Sequence, residues 1–381
     1  VSAVVSLGLM RLEEPEPVVQ RLYEVLSDPS RNRLVRAHCP NAMAKLLAET
    51  RSLEQADRWT ERLLALVAPK AKQPVAVRQS VVQTLGLMAR ICSPAQQLRV
   101  GEALFRIADD GADLQEKNLT SISLAYLGAA APAGHPLRAE VSEFLLKKLR
   151  KGSSHYRPWA GLALGVMAHH LAEDGDAGHP AIVGDSVLAR FKKEGQPSSK
   201  AAYAISLGLM KHLDGQDEVA AAMRKAKDAD LRGYCALSLG LLGAREHREA
   251  IQQVVQESRR QPEVLRQAAV ALGLINDHEV LGILLELMQP EGKRPSLAAL
   301  ASTATAIGFV GDHRSIEPLV QLLENDDITP LGRAFAAVAL GLVVDKELLP
   351  WNSKIAQDLH YRAAVSTLVD NTSGLGVLDI L

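Results

Sequence analysis

A Leu-Gly step set behind a run of small residues returns again and again in this chain, at Gly8, Gly86, Gly128, Gly165, Gly208, Gly240, Gly273, Gly308 and Gly341. The residue before the glycine is leucine at every site but one, where Ile307 stands. Two places after it come Met10, Met88, Ala130, Met167, Met210, Leu242, Ile275, Val310 and Val343. Apolar or small positions at −5, −4, −1 and +2 from the glycine have the i, i+1, i+4, i+7 spacing of one helix face, not the alternation of a strand. Glycine inside a helix costs about 1 kcal/mol against alanine, so its return needs a reason. One reading is helices lying side by side, with the missing Cβ letting a neighbouring backbone come close. The other is drift at a position tolerant of small residues, and Ala44 holds the same slot in a weaker unit.

With Ala44 included, successive slots are 36, 42, 42, 37, 43, 32, 33, 35 and 33 residues apart. Each interval holds a second amphipathic pattern, clearest in His313–Asp326, where Ile316, Leu319, Val320 and Leu323 share a face. Turn-forming stretches such as SDPS, KGSS, EGQPSS and ENDDITP bound the helices. A unit of this length with two helices is a solenoid repeat. The spacing therefore predicts an all-α fold, a right-handed α-solenoid of about ten helix pairs. One solenoid should cover 1–381: degenerate repeats over 1–128, regular ones over 129–349, and a capping unit with a tail over 350–381. In the last, Tyr361–Asp370 aligns with the slot helix and puts Asp370 in the glycine position. The chain opens at Val1 in mid-repeat, which implies further sequence upstream.

Composition narrows function by exclusion. Net charge is −1, from 43 basic and 44 acidic residues, so no global field favours nucleic acid or an anionic membrane. Aromatics are 4% of the chain, few for base stacking. The longest apolar run, near Ala334–Val344, is too short to span a bilayer. Cys39, Cys92 and Cys235 are far apart and odd in number, which suits small buried hydrophobes better than a disulfide framework or metal knuckle.

The pattern R-x-x-A-x-x-A-L-G-L-I-x-D followed by H-x-x-x-I-x-P-L-x-x-L-L, close over Asp230–Asp326 and loose before Gly128, resembles the HEAT-repeat superfamily, in particular the bacterial phycobilin-lyase-like type. The Leu-Gly-Leu helix is also similar to proteasome/cyclosome repeats. These resemblances imply architecture and say little about activity. HEAT-type deoxyhypusine hydroxylases bind iron through four His-Glu pairs; this chain has one, His278-Glu279, so that activity is not implied. Walker, nucleophile-elbow and dinucleotide motifs are absent from the sequence.

Two charged patterns are candidates for function. A cation recurs eight places before the slot, at Arg36, Arg78, Arg157, Lys200, Arg232, Arg333 and Arg362, with Arg266 one place off. It reads either as a grip on an acidic partner or as pairing within the array. Cations also gather where second helices end: Lys147, Lys148, Arg150 and Lys151; Arg190, Lys192 and Lys193; Arg224, Lys225 and Lys227; Arg259 and Arg260. They read either as compensation of the helix dipole or as a stripe for an anionic partner. A third group, His169, His170 and His179 with Glu173, Asp174 and Asp176, lacks zincin or EF-hand spacing and reads as a solvated insertion rather than a metal site. The expectation is a non-catalytic scaffold or adaptor, without cofactor, binding protein partners on a concave face as part of a larger complex. No specific nucleic-acid binding is expected. The alternative is an enzyme or enzyme subunit of the bilin-lyase kind.

Overall fold

The computed structural model describes residues 1–344 apart from residues 51, 177–180, 259–260, 278 and 289–296. Arg259, Arg260, His179, His278, Arg362 and the capping unit with its tail lie outside the described residues. Among those described there is no strand, and the fold is an all-α solenoid. Odd-numbered helices carry the glycine slot: α1 (Ser2–Gly8), α3 (Arg33–Thr50), α5 (Val75–Met88), α7 (Leu114–Ala130), α9 (Tyr156–Glu173), α11 (Pro197–Leu209), α13 (Ala229–Leu242), α15 (Pro262–Leu274), α17 (Leu297–Val310) and α19 (Pro330–Val344). Even-numbered ones are the second helices: α2 (Glu16–Ser27), α4 (Leu53–Leu66), α6 (Pro94–Asp110), α8 (Pro136–Lys151), α10 (Ala181–Lys193), α12 (Gln216–Lys225), α14 (Arg248–Glu257), α16 (Val280–Met288) and α18 (Ile316–Glu324).

Among the described residues there are two compact units, one over Val1–Ser186 and one over residues 187–344. In the first, α1, α3, α5, α7 and α9 stack in sequence; in the second, α11, α13, α15, α17 and α19 do the same. A second helix lies against the glycine helix that follows it, as α6 does on α7 and α14 on α15. The residue before the slot supplies the core. Leu85, Leu127, Leu207, Leu239, Leu272 and Ile307 are each 0% exposed. The second helices bury one stripe, Val19, Leu22 and Leu26 in α2 and Ile251, Val254 and Val255 in α14. In α18 that stripe is rotated from the sequence expectation. Leu322 joins Leu319 in the core and Leu323 turns outward.

The glycine slot is a point of close approach. A Cβ on Gly86 would lie 2.7 Å from Ser123 Cα, and one on Gly240 would lie 2.5 Å from Ala271 Cα. At Gly128 the obstruction is side chain, from Met167 and Val141 at 2.9 Å. Backbones this near bring hydroxyls within reach of a neighbour's carbonyls. Ser123 Oγ donates to Val82 O at 2.8 Å and Ser238 Oγ to Ala204 O at 2.5 Å, joining each glycine helix to the one before it.

In the second unit the turn after the glycine helix is uniform. The third residue past the slot is left-handed at Lys211 (φ 51°), Gly243 (φ 73°), Asn276 (φ 63°) and Gly311 (φ 62°). The next amide reaches back to the residue before the slot glycine, His212 N to Leu207 O at 3.1 Å and Ala244 N to Leu239 O at 3.0 Å. This closure uses carbonyls the helix end leaves open and makes the shorter repeats of this half possible. Lysine is strained there where glycine is not. Lys211→Gly is therefore expected to raise stability by about 0.5–1 kcal/mol, read from the urea midpoint; a loss would contradict the strained turn.

Candidate functional site

The cation eight places before the slot turns inward to the array. Arg36 Nε donates to Leu26 O at 2.8 Å, capping the end of α2, and its Nη2 donates to Gln73 Oε1 at 2.5 Å. Arg78 Nη2 lies 2.7 Å from Glu116 Oε1, a carboxylate whose side chain is only 3% exposed. Lys200 lies 4.9 Å from the centre of the Phe191 ring and donates to Glu194 O at 3.4 Å. Arg232 pairs with Glu257, Arg333 with Asp326 at 2.6 Å, and Arg266 with Glu263 at 2.9 Å. The Arg232 guanidinium, helped by Gln253, holds the Glu257 carboxyl below the usual range. Arg157 is the exception, its Nε buried with no hydrogen-bond partner among the described residues. Arg157 apart, these cations are engaged within the array: Arg36 caps the preceding helix, Arg333 takes a carboxylate of the loop before it, and Arg78 and Arg232 reach carboxylates further off in sequence.

The cations at second-helix ends divide. In the first unit, Lys148 Nζ lies 2.6 Å from Asp109 of α6, and Arg150 Nη2 donates to Ser186 Oγ of α10 at 2.9 Å. In the second, Lys192 pairs with Glu218 of α12, and Arg190 is engaged as well. Lys147, Lys151, Lys193, Arg224, Lys225 and Lys227 are exposed and make no ion pair among the described residues. Each closes or follows a helix whose last carbonyls carry partial negative charge, worth roughly 0.3–1 kcal/mol per cation. The dipole explains why cations are tolerated there. It does not neutralise them, so their charge is open to a ligand.

Sequence reasoning missed the links between successive second helices. Arg58 of α4 reaches Glu16 of α2 at 2.5 Å, and Arg99 of α6 reaches Glu61 of α4 at 2.7 Å. With Lys148 and Asp109, these opposite charges stand 42, 38 and 39 residues apart, about one repeat. That periodicity was the available signal. At the same end of the array Trp59, 0% exposed, donates to Glu16 Oε2 at 3.1 Å beneath the Arg62 guanidinium, 4.5 Å from its ring.

The acidic stretch after α9 is tied down. Asp174 takes both its oxygens to Arg90 Nη2 at 3.0 and 3.1 Å, and Asp176 pairs with Arg138. His170 packs 4.9 Å from the Tyr126 ring with its Nδ1 2.8 Å from Glu173 Oε2, and burial depresses its pKa. Asp174 and Asp176 thus serve arginines. The three cysteines are buried, and desolvation raises each thiol to about 12, so none supplies a thiolate near neutral pH. No helix among the described residues is long and apolar enough to cross a membrane.

Residues 217–304 match the HEAT-repeat family. That stretch runs from α12 into α17, within the most regular part of the array. No curated protein matches the chain. Among solved structures, an engineered protein from the Northeast Structural Genomics Consortium is similar at 16% identity, covering 89% of this chain and 98% of that one. Its TM-score is 0.34, so the likeness carries no argument.

Proposed function

We propose that the protein is a non-catalytic scaffold or adaptor that binds other proteins along its helical array as a subunit of a larger complex. HEAT-repeat solenoids commonly mediate protein interactions. The observation that carries the reading is a contrast between two sets of cations. Those on the glycine helices are almost all taken up by partners within the array, whereas Lys147 and Lys151 in the first unit, and Lys193, Arg224, Lys225 and Lys227 in the second, stay exposed and unneutralised. A protein surface rich in Asp and Glu is the complement of such cations, and its binding should weaken with salt.

The test is reversal of those six residues to Glu, leaving Lys148 and Lys192 in their ion pairs. Capture of the protein partner recovered by co-purification should weaken by roughly tenfold or more, and its dependence on salt should flatten. Unchanged affinity would remove the anionic-partner reading. A bilin-lyase kind of activity has one feature in its favour, an apolar hollow of about 440 Å³ between α8, α9 and α10, floored by Leu164, Met167 and Leu171. Pigment held stoichiometrically by the purified chain would favour that reading over the scaffold.

A further inference from the structure

A guanidinium drawn part-way out of water needs an anion or carbonyl acceptors in exchange. The other described cations of the glycine-helix ladder have one or the other. Arg157 has neither. Its side chain is half-buried, its Nε is closed off without a hydrogen-bond partner, and no ion pair or ring contact reaches it among the described residues. The turn of α9 it springs from is otherwise packed inward, with Tyr156 and Trp159 6% and 3% exposed.

The backbone at this corner is already occupied, because Ser153 O accepts from Tyr156 N at 3.1 Å and from Arg157 N at 3.0 Å. The guanidinium itself is the open group. Further cations stand at the end of α8, which packs on α9. Lys148 lies 5.7 Å from the centre of the Tyr156 ring and is held by Asp109. Lys147 and Lys151, one turn of α8 apart and about 6 Å along its axis, are exposed and make no ion pair among the described residues.

We propose that Arg157 anchors an acidic segment of a protein partner at this corner of the first unit. One Asp or Glu carboxylate of the partner pairs with the guanidinium, whose planar fork matches it through two parallel hydrogen bonds, and further carboxylates run out along Lys151 and Lys147. Charge spread over a helix turn and the following loop suits a run of carboxylates better than one compact anion. This role for Arg157 rests on the protein-partner reading above and adds to it the half-buried end of the contact.

Fluorescence anisotropy with a labelled hexaglutamate peptide at low salt tests it. The parent should bind; Arg157→Met should weaken binding roughly tenfold or more, and Lys147→Met with Lys151→Met should weaken it less. Arg157→Met should also leave the urea midpoint unchanged or raise it, since an unpartnered charge is removed. A marked fall in that midpoint would mean that the guanidinium serves the fold, and inorganic phosphate binding as tightly as the peptide would assign it to a free anion; either result overturns the proposal. So does peptide binding that is absent, or unchanged in Arg157→Met. If reversal of the six exposed cations still weakens capture of the co-purified partner in that case, the partner reading stands without this anchor; if neither change matters, both fall.

Discussion

Gly240→Leu is expected to destabilise the second unit by about 3 kcal/mol or more, among the largest single effects available in this protein. The first added carbon would lie 2.5 Å from Ala271 Cα and 2.9 Å from Ala271 O, so the obstruction is backbone of α15 and no rotamer removes it. Relief requires α13 and α15 to separate, which strips contacts from Leu239 and Leu272, both fully buried. Even Gly240→Ala should destabilise, although alanine favours a helix by about 1 kcal/mol over glycine. Gly273 provides the contrast: a Cβ there meets Val310 Cα at 3.3 Å and Cγ2 at 3.5 Å, so Gly273→Ala should be close to neutral. Urea unfolding of the three variants measures this. If Gly240→Ala came out more stable than the parent, the slot glycine would be drift and not a packing requirement.

Arg78→Met should cost about 3–5 kcal/mol. The loss does not come from breaking an exposed ion pair, which is worth roughly 0–1 kcal/mol. It comes from stranding Glu116, 3% exposed, without the guanidinium that now reaches both its oxygens, at 2.7 and 3.3 Å. Because the penalty lies in the orphaned carboxylate, Arg78→Met combined with Glu116→Leu should recover most of it. A double-mutant cycle by denaturant unfolding separates the terms. A single-variant loss below about 1 kcal/mol would mean that Arg78 is free for an external partner, as the competing reading of these cations holds.

Much of the array was legible because the packing rule is written once per repeat. Leu127, Leu239 and Ile307 announce the buried face through their spacing alone, and Gly86 and Gly240 announce a close approach through a helix cost that needed repaying. Less was legible wherever two options satisfy the same local chemistry. A lysine at a helix end, such as Lys147 or Lys148, answers the dipole in either case; only the position of Asp109 makes one a rung and leaves the other open. Arg232 is close in sequence to Asp230, yet its guanidinium goes to Glu257, because the backbone path brings the end of α14 beside it. Asp174 and Asp176 read as a solvated acidic loop, and Asp174 is 53% exposed; what the sequence does not show is that Arg90, more than two repeats earlier, pairs with Asp174 while Arg138 takes Asp176.

The sequence by itself determined the unit: two helices, a buried aliphatic face, a missing side chain where neighbours meet, and a HEAT-like repeat. The tertiary structure decided the register between units. Gly86 faces Ser123, five places before the next slot; Gly240 faces Ala271, two before; Gly273 faces Val310, two after. The helices thus slide past one another by up to about two turns along the chain. The physical reason is that each glycine helix carries small residues at several positions one turn apart, so a slide of a turn sets small against small again at similar local energy. The left-handed closure is shared by Gly243 and Asn276 although the offsets at Gly240 and Gly273 differ, so the choice lies in the packing between repeats and not in the local turn.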